Sequence, residues 1–364
     1  MSVISDRLNR AREAADADSV DAILLTPGPD LRYLTGYDAL ALERLTCLVL
    51  PVNDDPKLVV PSLERPAAEA SGIHNELEIV DWQETDDPIA LVAKMLPDAR
   101  RVALGDKMWA EKVLGFRDAL PHVEQVIAGP ILAELRMRKS PDEVEYLREA
   151  AAAIDRVHAR MPEWLRVGRT EHDVARDIAA AIVEEGHATA DFVIVAAGPN
   201  SASPHHEPED YVIADGDPVV VDIGGTTFAG YCSDSTRTYV IGEPRSEFTK
   251  AYDALLRAQM AACEHVRPGV TAESVDATAR DLLTEAGLGE YFIHRIGHGI
   301  GMETHEEPYI VRGNTLPLEA GMAFSVEPGF YLAGKYGARI EDIVVVTDEG
   351  VDRLNQRPRE LAIL

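Results

Sequence analysis

The chain has 364 residues, of which 46% are hydrophobic and 27% charged, with 35 basic against 63 acidic side chains and a formal net charge of −28. This composition is typical of a soluble globular protein, and the length favours two domains because single cores seldom grow beyond roughly 250 to 300 residues. The acidic excess argues against nucleic acid as a partner. Since it is spread through segments with folded patterns, it indicates a solvated acidic surface and not a disordered tail.

An acidic surface of this size is tolerated where salt shortens the screening length to about 3 Å, as at 1 M. We interpret it as the surface of an intracellular protein from a salt-accumulating organism; a merely acidic mesophilic protein is the alternative. The first residues lack an apolar core of signal-peptide length, and the sequence has no run of about 18 apolar residues, which predicts a cytoplasmic protein with no membrane partner. Three widely separated cysteines, Cys47, Cys232 and Cys263, favour reduced thiols.

The first part of the chain alternates short apolar runs with helical patterns, as an α/β domain does. The four apolar runs are AILLT, CLVLPV, KLVVP and RVALG. Further on, Ser140 followed by Pro141 and Glu143 has the pattern of a capping box with proline at the first helical position, which predicts the start of a long helix. We therefore predict an N-terminal α/β domain over residues 1–134 and a second domain over residues 135–364.

The second domain contains an internal repeat. RVGRTEHDVARDIAAAIVEEG from Arg166 matches RPGVTAESVDATARDLLTEAG from Arg267 at a constant offset of 101 residues (267 minus 166). Each copy is predicted to form a turn, a capped amphipathic helix and a glycine stop, followed by a strand: DFVIVAAG from Asp191 and YFIHRIG from Tyr291. The repeat predicts an α+β domain with a pseudo-twofold axis and a site between its halves. A chance likeness of two helices is the alternative.

Two aspartates flank an apolar run in VVVDIGGTTFAGYCSDSTRT. Asp222 and Asp234 lie where an unpaired carboxylate is costly to bury, and a hairpin through GGTTFAG brings them together. Adjacent carboxylates repel one another unless a cation lies between them. Two acids near a hairpin are also typical of turn or edge residues, so the pair alone leaves both interpretations open.

Three further residues of the same domain favour a metal site. His298 lies in GHGIG, Glu327 follows the apolar strand FSV, and Glu341 is predicted inside another apolar strand. For His298 alone, a core histidine is the alternative. Two Asp, two Glu and one His form an oxygen-rich set that suits Mn²⁺, Co²⁺ or Zn²⁺, and four carboxylates are enough to hold two such ions about 3.5 to 4 Å apart.

These motifs carry a family resemblance. SPHHEP, VVVDIGG with GYCSDSTRT, GHGIGMETHEEP, SVEPGFY and GARIED resemble the pita-bread metallopeptidases of the methionine aminopeptidase and prolidase superfamily, specifically its Xaa-Pro dipeptidase and aminopeptidase P group. The resemblance covers residues 135 to 364, and LRYLTGY resembles the creatinase-like N-terminal domain more weakly. It implies an α+β fold with a pita-bread C-terminal domain, a small peptide substrate, two divalent ions and a homodimer.

The resemblance also implies roles for individual residues. Asp222 would bind one metal, His298 and Glu327 would bind the other, and Asp234 and Glu341 would bridge both. The two aspartates are 12 residues apart (234 minus 222), where the family usually has 11, so we expect a longer turn or a bulge.

The reaction implied is hydrolysis of an Xaa-Pro imide bond by a hydroxide shared between the metals, with Glu327 as general base. His205 and His305 would stabilise the oxyanion, Arg339 would bind the substrate carboxylate, and His294 would contact the substrate or pack behind the site. His206 is expected to face solvent, and Cys232 is expected to be a small core residue.

Alternatives remain at this point, among them a hydrolase acting on another amide-type substrate. VVVDIGGTT also resembles the phosphate-binding turn of sugar kinases with an actin-like fold, but that interpretation leaves His298, Glu327 and Glu341 unexplained. A non-catalytic pita-bread binding module would be expected to lose ligands, and all five are present. Within the family, the length of the chain and the run HEEPYI favour a dipeptidase over an aminopeptidase P.

Overall fold

The computed structural model describes residues 2–364. The chain divides into two compact units, one ending at Arg136 and the other running from Met137 to Leu364. The sequence had placed this boundary between residues 134 and 135. Each unit has its own sheet structure and its own apolar core.

The N-terminal unit is an α/β domain. Its elements are α1 Val3–Ala17, β1 Ala22–Leu25, α2 Pro29–Thr35, β2 Cys47–Pro51, β3 Lys57–Pro61, α3 Arg65–Ala70, β4 Glu78–Trp82, α4 Pro88–Lys94, β5 Arg101–Leu104, α5 Ala110–Ala119, β6 Glu124–Ile127 and α6 Gly129–Arg136. The six strands form one sheet in the order β4-β3-β2-β1-β5-β6, with β1 antiparallel to β2 and parallel to β5. The four apolar runs are strands, as predicted. They are apolar at almost every position, without alternating polar residues, because nearly every position is buried.

The C-terminal unit is an α+β domain. Its elements are α7 Pro141–Ala159, α8 Met161–Trp164, α9 Glu171–Glu184, β7 His187–Ala197, β8 Pro218–Thr227, β9 Cys232–Val240, α10 Ser246–His265, α11 Ala272–Glu285, β10 Gly297–Gly299, β11 Glu306–Ile310, β12 Ala323–Val326, β13 Gly329–Leu332, β14 Tyr336–Arg339, β15 Asp342–Val346, β16 Val351–Arg353 and β17 Ala362–Ile363. The strands form a four-stranded sheet β17-β9-β8-β7, a five-stranded sheet β11-β10-β12-β15-β16 and the hairpin β13-β14.

The first helix of this unit begins where the sequence predicts it. The Ser140 side chain accepts a hydrogen bond from the backbone N–H of Glu143, and the Glu143 side chain accepts one from the backbone N–H of Ser140. Pro141 takes the first helical position, where no N–H is needed. This reciprocal cap fixes the start of α7, which packs beside β9.

The internal repeat is visible in the helices. α9 and α11 both have 14 residues. They keep the predicted spacing of 101 residues, from 171 to 272. The preceding threonines also correspond, because Thr170 and Thr271 each make an isolated antiparallel bridge to a later segment. The repeat is therefore structural and not a chance likeness.

The prediction of a strand directly after the second repeat helix is wrong. Residues Gly289–Tyr291 form a 3-10 turn, and the chain becomes a strand only at β10. The reason is a side chain from α11: Arg280 donates to the backbone oxygens of Phe292 and His294 and stacks its guanidinium 4.1 Å from the Phe292 ring centroid. These carbonyls are satisfied without a sheet partner, so the segment has no need of a ladder.

No helix in the described part of the chain is both long and apolar enough to cross a membrane.

Candidate active site

The hairpin β8–β9 brings the two predicted aspartates together. In its ladder Asp222 lies opposite Thr236 and Asp234 lies opposite Gly224, so the two carboxylates are diagonal neighbours on one face of the sheet. The ladder runs without a register shift from Pro218 to Thr226. The extra residue between the aspartates is therefore taken up by the turn and not by a bulge in this ladder.

Glu341 and Glu327 reach the same face from the other sheet. Glu327 directly follows β12, as predicted. Glu341 lies in the short link between β14 and β15, and the prediction that it sits inside a strand is wrong. Its backbone N–H donates to the Thr236 carbonyl, and its Oε2 accepts a 2.7 Å hydrogen bond from the Thr236 hydroxyl. These two bonds to β9 interrupt the strand and hold Glu341 beside the aspartates.

His298 lies on β10, which pairs with β11 and β12. Its Nε2 is 3.2 Å from Glu327 Oε1 and 3.6 Å from Asp234 Oδ2, and its Nδ1 is 3.1 Å from the Gly299 carbonyl oxygen. A ring held at Nδ1 by a carbonyl presents Nε2 as the atom available to a ligand. His298 is thus oriented toward the carboxylates.

These five side chains form two adjoining groups of ligand atoms. One group is Asp222, Asp234 and Glu341, the other is His298, Glu327 and Glu341, and within each group the atoms lie within 4.8 Å of one another. Glu341 belongs to both groups. All but Glu327 are buried, and each group offers a hard, oxygen-rich donor set.

The electrostatics of the cluster fit divalent cations. Burial, with Glu341 and Asp222 as negative neighbours, raises the pKa of Asp234 well above its usual value, and burial with Glu327 and Asp222 nearby raises the pKa of Glu341. Burial also raises the pKa of Glu327, but the hydrogen bond and positive charge of His298 outweigh it and lower the value to about 2. Asp222 Oδ1 is buried and has no hydrogen-bond partner. An orphaned carboxylate oxygen among repelling acids is the arrangement that a bound cation relieves.

Arg339 is engaged by the protein itself. Its Nη2 donates to Asp222 Oδ2, its Nη1 donates to the Tyr331 hydroxyl at 2.7 Å, and both nitrogens lie 3.3 Å from the Pro204 carbonyl oxygen. Its Nε donates to the Thr236 hydroxyl. The five N–H donors of a guanidinium are therefore all directed at protein acceptors. Arg339 holds Asp222 in this structure, and a substrate carboxylate would have to displace one of these acceptors.

The cluster lies in a cavity of about 730 Å³. Its walls include the five ligands, Arg339 and the three predicted histidines His205, His294 and His305. Six further lining residues were not predicted from the sequence as site residues: Asp191, Phe192, Ile194, Pro204, Arg295 and Thr304. A Cβ on Gly224 would lie 2.4 Å from the backbone oxygen of Ser233 and 2.5 Å from the Phe192 ring, so these two contacts together require glycine opposite Asp234.

A register shift explains why the β7 residues were missed. The pairing of β7 with β8 shifts between Ala190 and Phe192, so Asp191 is the extra residue of a bulge. Its two carboxylate oxygens accept hydrogen bonds from the hydroxyls of Thr189 and Thr226. A bulge changes which side chains face the cavity, and simple alternation along the sequence does not reveal it.

The cavity histidines lie in different surroundings. His294 Nε2 is 3.0 Å from the Tyr331 hydroxyl and its Nδ1 is 2.7 Å from the Arg295 carbonyl oxygen, and burial lowers its pKa. His305 is exposed, and its ring centroid is 4.0 Å from that of His298. Partial burial and the nearby His298 lower the pKa of His305 to about 4. At neutral pH His305 is therefore an uncharged ring with one N–H to donate.

The predictions for Cys232 and His206 have opposite outcomes. Cys232 is buried, and burial raises the pKa of its thiol to about 11, as expected of a core residue. The prediction that His206 faces solvent is wrong. Its side chain is 13% exposed, and its Nε2 is 2.7 Å from Oε2 of the buried Glu171, because a charged partner on α9 faces it.

The fold and this site define a metal-dependent peptidase. Residues 145–348 match the model of metallopeptidase family M24, and residues 7–138 match that of the creatinase/prolidase N-terminal domain. The chain belongs to metallopeptidase family M24, with a creatinase-type N-terminal domain preceding the pita-bread domain. The predicted fold and family are thereby confirmed, and the sugar-kinase interpretation is set aside.

Proteins similar to this chain are peptidases by name. The chain is 53% identical over 364 residues to a protein named probable dipeptidase PepE from Mycobacterium tuberculosis, covering 100% of this chain and 97% of the relative. It is 35% identical over 342 residues to a Xaa-Pro dipeptidase from Lactobacillus helveticus, covering 92% of each chain. The crystal structure of a prolidase from Thermococcus sibiricus superposes with a TM-score of 0.93 at 37% identity, covering 100% of both chains. The protein is therefore a peptidase.

Proposed function

We propose that the protein is a dinuclear-metal hydrolase that cleaves the imide bond of Xaa-Pro dipeptides. The observation that carries the proposal is the pair of ligand groups sharing Glu341 inside a cavity lined by three histidines. Asp222 would hold one Mn²⁺ or Co²⁺ ion, with Zn²⁺ as the third candidate. His298 and Glu327 would hold the other ion, and Asp234 and Glu341 would bridge the two.

Two divalent ions bound here would lower the pKa of a shared water and polarise the scissile carbonyl. Glu327 Oε1 accepts a hydrogen bond from the Ser325 hydroxyl at 3.0 Å. The other oxygen, Oε2, would take a proton from the attacking water and deliver it to the imide nitrogen of proline. That nitrogen must gain a proton to leave as an amine, as any amide nitrogen must.

The oxyanion would be stabilised by His205 and His305 from two walls of the cavity. Because the pKa of His305 is about 4, it would act as a neutral N–H donor and not as a cation. His294, held by Tyr331, would contact the substrate. Arg339 would bind the substrate carboxylate by exchanging its long bonds to Pro204 while keeping Asp222 in place.

The Xaa-Pro specificity is supported by the names of relatives that the chain covers almost entirely. The same comparisons include a structure titled X-Pro aminopeptidase from Thermotoga maritima, with a TM-score of 0.85 at 29% identity. Release of the first residue from a longer Xaa-Pro peptide is therefore the second candidate.

The test is hydrolysis of Gly-Pro, Ala-Pro and Ala-Pro-Ala at high KCl with Mn²⁺ or Co²⁺, before and after chelation. We expect metal-dependent cleavage of the dipeptides alone. Cleavage of the tripeptide with release of its first alanine would replace the dipeptidase by an aminopeptidase, and no cleavage by a folded, metal-loaded sample would refute both.

A matched pair of variants distinguishes the effect of losing a proposed metal ligand from the effect of losing an acidic side chain at the surface. Asp234→Asn removes a proposed bridging ligand, so it should abolish activity and reduce the bound metal. Asp210→Asn changes a side chain that is 93% exposed and should leave both unchanged. Equal activity of the two variants would contradict the ligand assignment.

A further inference from the structure

Glu171 is a carboxylate outside the metal cluster whose burial needs an explanation. It occupies the first position of α9 and is 0% exposed. Burying an ionised carboxylate is costly unless it is paired and hydrogen-bonded. A helix N-terminus favours a negative charge, but the helix alone does not account for complete burial.

The partners of Glu171 all belong to one segment of chain. Its Oε1 accepts from the backbone N–H of Ala197 at 2.6 Å and from Asn200 Nδ2 at 3.2 Å. Its Oε2 lies 2.7 Å from His206 Nε2 and accepts from the backbone N–H of Glu209 at 3.2 Å. These donors come from the start, the middle and the end of residues 197–209.

That segment contains His205, one of the cavity histidines. Beyond the 3-10 turn Gly198–Ala202 it has no regular structure to fix its course. The adjacent histidines of the segment have different surroundings: the His206 side chain is bound to Glu171, whereas His205 lines the cavity. Holding the His206 ring therefore sets the backbone from which His205 projects.

A metal site at this place is disfavoured by the same contacts. Glu171, His206 and Glu209 have ligand atoms within 4.8 Å of one another. However, both oxygens of Glu171 already face N–H donors, and N–H groups repel a cation. Asn200 Nδ2 also donates to Glu209 Oε1 at 2.9 Å, which completes a closed hydrogen-bond network.

We propose that Glu171 is a positioning residue that holds the 197–209 segment and thereby places His205 against the substrate. This inference rests on the proposed function, since it assigns His205 the role of oxyanion donor. Glu171 acts through His205 and does not itself reach the cavity. Removing its charge-assisted bonds should loosen the segment and displace His205 without touching a metal ligand.

The first test is Glu171→Gln, with Glu184→Gln as a matched control on the same helix. Glu184 is 63% exposed and pairs with Arg160 at the surface. We expect kcat to fall by roughly 10- to 100-fold in Glu171→Gln, the scale of a misplaced catalytic group, with unchanged metal stoichiometry. Glu184→Gln should match the wild type. Lost metal binding in Glu171→Gln, or an unchanged kcat, would overturn the proposal.

A double-mutant cycle separates positioning from general stability. If Glu171 acts through His205, then Glu171→Gln should lower kcat little or not at all when His205 is already alanine. Multiplicative losses in the double variant would show that Glu171 acts on something else. Should Glu171→Gln fail to fold, His206→Gln tests the same connection, because it leaves the bonds of Glu171 to Ala197 and Asn200 in place.

Hydrogen exchange supplies a readout that does not depend on activity. The N–H groups of Ala197 and Glu209 are bonded to Glu171, so peptides spanning 197–209 should exchange faster in Glu171→Gln and not in Glu184→Gln. Unchanged exchange there would overturn the proposal. If the wild type cleaves no Xaa-Pro peptide, the proposed function fails by itself, and the exchange experiment still decides whether Glu171 holds the segment.

Discussion

Replacing Arg339 by methionine removes the only basic side chain that contacts Asp222 among the described residues, while keeping a side chain of similar length. Asp222 is 8% exposed and lies beside Asp234 and Glu341, so its charge would be left without compensation. Breaking a buried ion pair in this way typically costs about 3 to 5 kcal/mol.

This account makes the loss depend on metal. Bound metal ions would supply the positive charge that the arginine supplied, so Mn²⁺ should reduce the loss. At pH 7 with a chelator we expect the midpoint of thermal unfolding of the C-terminal unit to fall by about 8 to 16 °C.

The assay is thermal unfolding of the wild type and the variant at pH 7, with chelator and with Mn²⁺. Arg148→Met is the control, because Arg148 pairs with Asp352 at 2.7 Å but both side chains are about 40% exposed. Such surface pairs contribute about 0 to 1 kcal/mol. A loss in Arg339→Met that is the same with chelator and with Mn²⁺ would refute the reasoning.

Three further outcomes follow from the pKa values. At pH 6, metal binding should release protons, because burial raises the pKa of Asp234 and Glu341; calorimetry in two buffers of different ionisation enthalpy would show it, and proton uptake would contradict it. Burial lowers the pKa of His158 to about 3, so its contribution to stability is present above pH 6.5 and lost as pH falls; His158→Gln should flatten the acid limb of urea unfolding. Burial raises the thiol pKa of Cys47 to about 12, so this cysteine should not react with a disulfide reagent at pH 8 until urea unfolds the chain, and fast labelling would count against its burial.

The features that the sequence predicted correctly are local ones. The capping box at Ser140, each of the helices α9 and α11, and the hairpin carrying Asp222 and Asp234 form within one continuous stretch of chain. Their hydrogen bonds join neighbours in the chain, so spacing and residue type are sufficient evidence for them. The five candidate metal ligands come from separate segments of the chain, and their residue types indicated them because hard oxygen donors at strand ends form a rare combination.

The features that were wrong or missed depend on side-chain contacts that no regular spacing in the sequence indicates. Arg280 satisfies the carbonyls that a strand after Tyr291 would have used. Glu341 leaves its strand because Thr236 binds it at both the backbone and the side chain. His206 turns inward because Glu171 faces it. None of these partners lies at a fixed spacing from the residue it controls.

The sequence by itself determined the two-domain organisation, the repeat and the set of five candidate metal ligands. Only the tertiary structure decided that Arg339 donates to Asp222 and three other protein acceptors, that a bulge makes Asp191 part of the cavity, and that Glu171 binds the segment carrying His205. The physical reason is that helix caps and hairpins are closed by hydrogen bonds between near neighbours. Buried polar groups must instead be satisfied by whatever donors and acceptors the packing of distant segments brings to them.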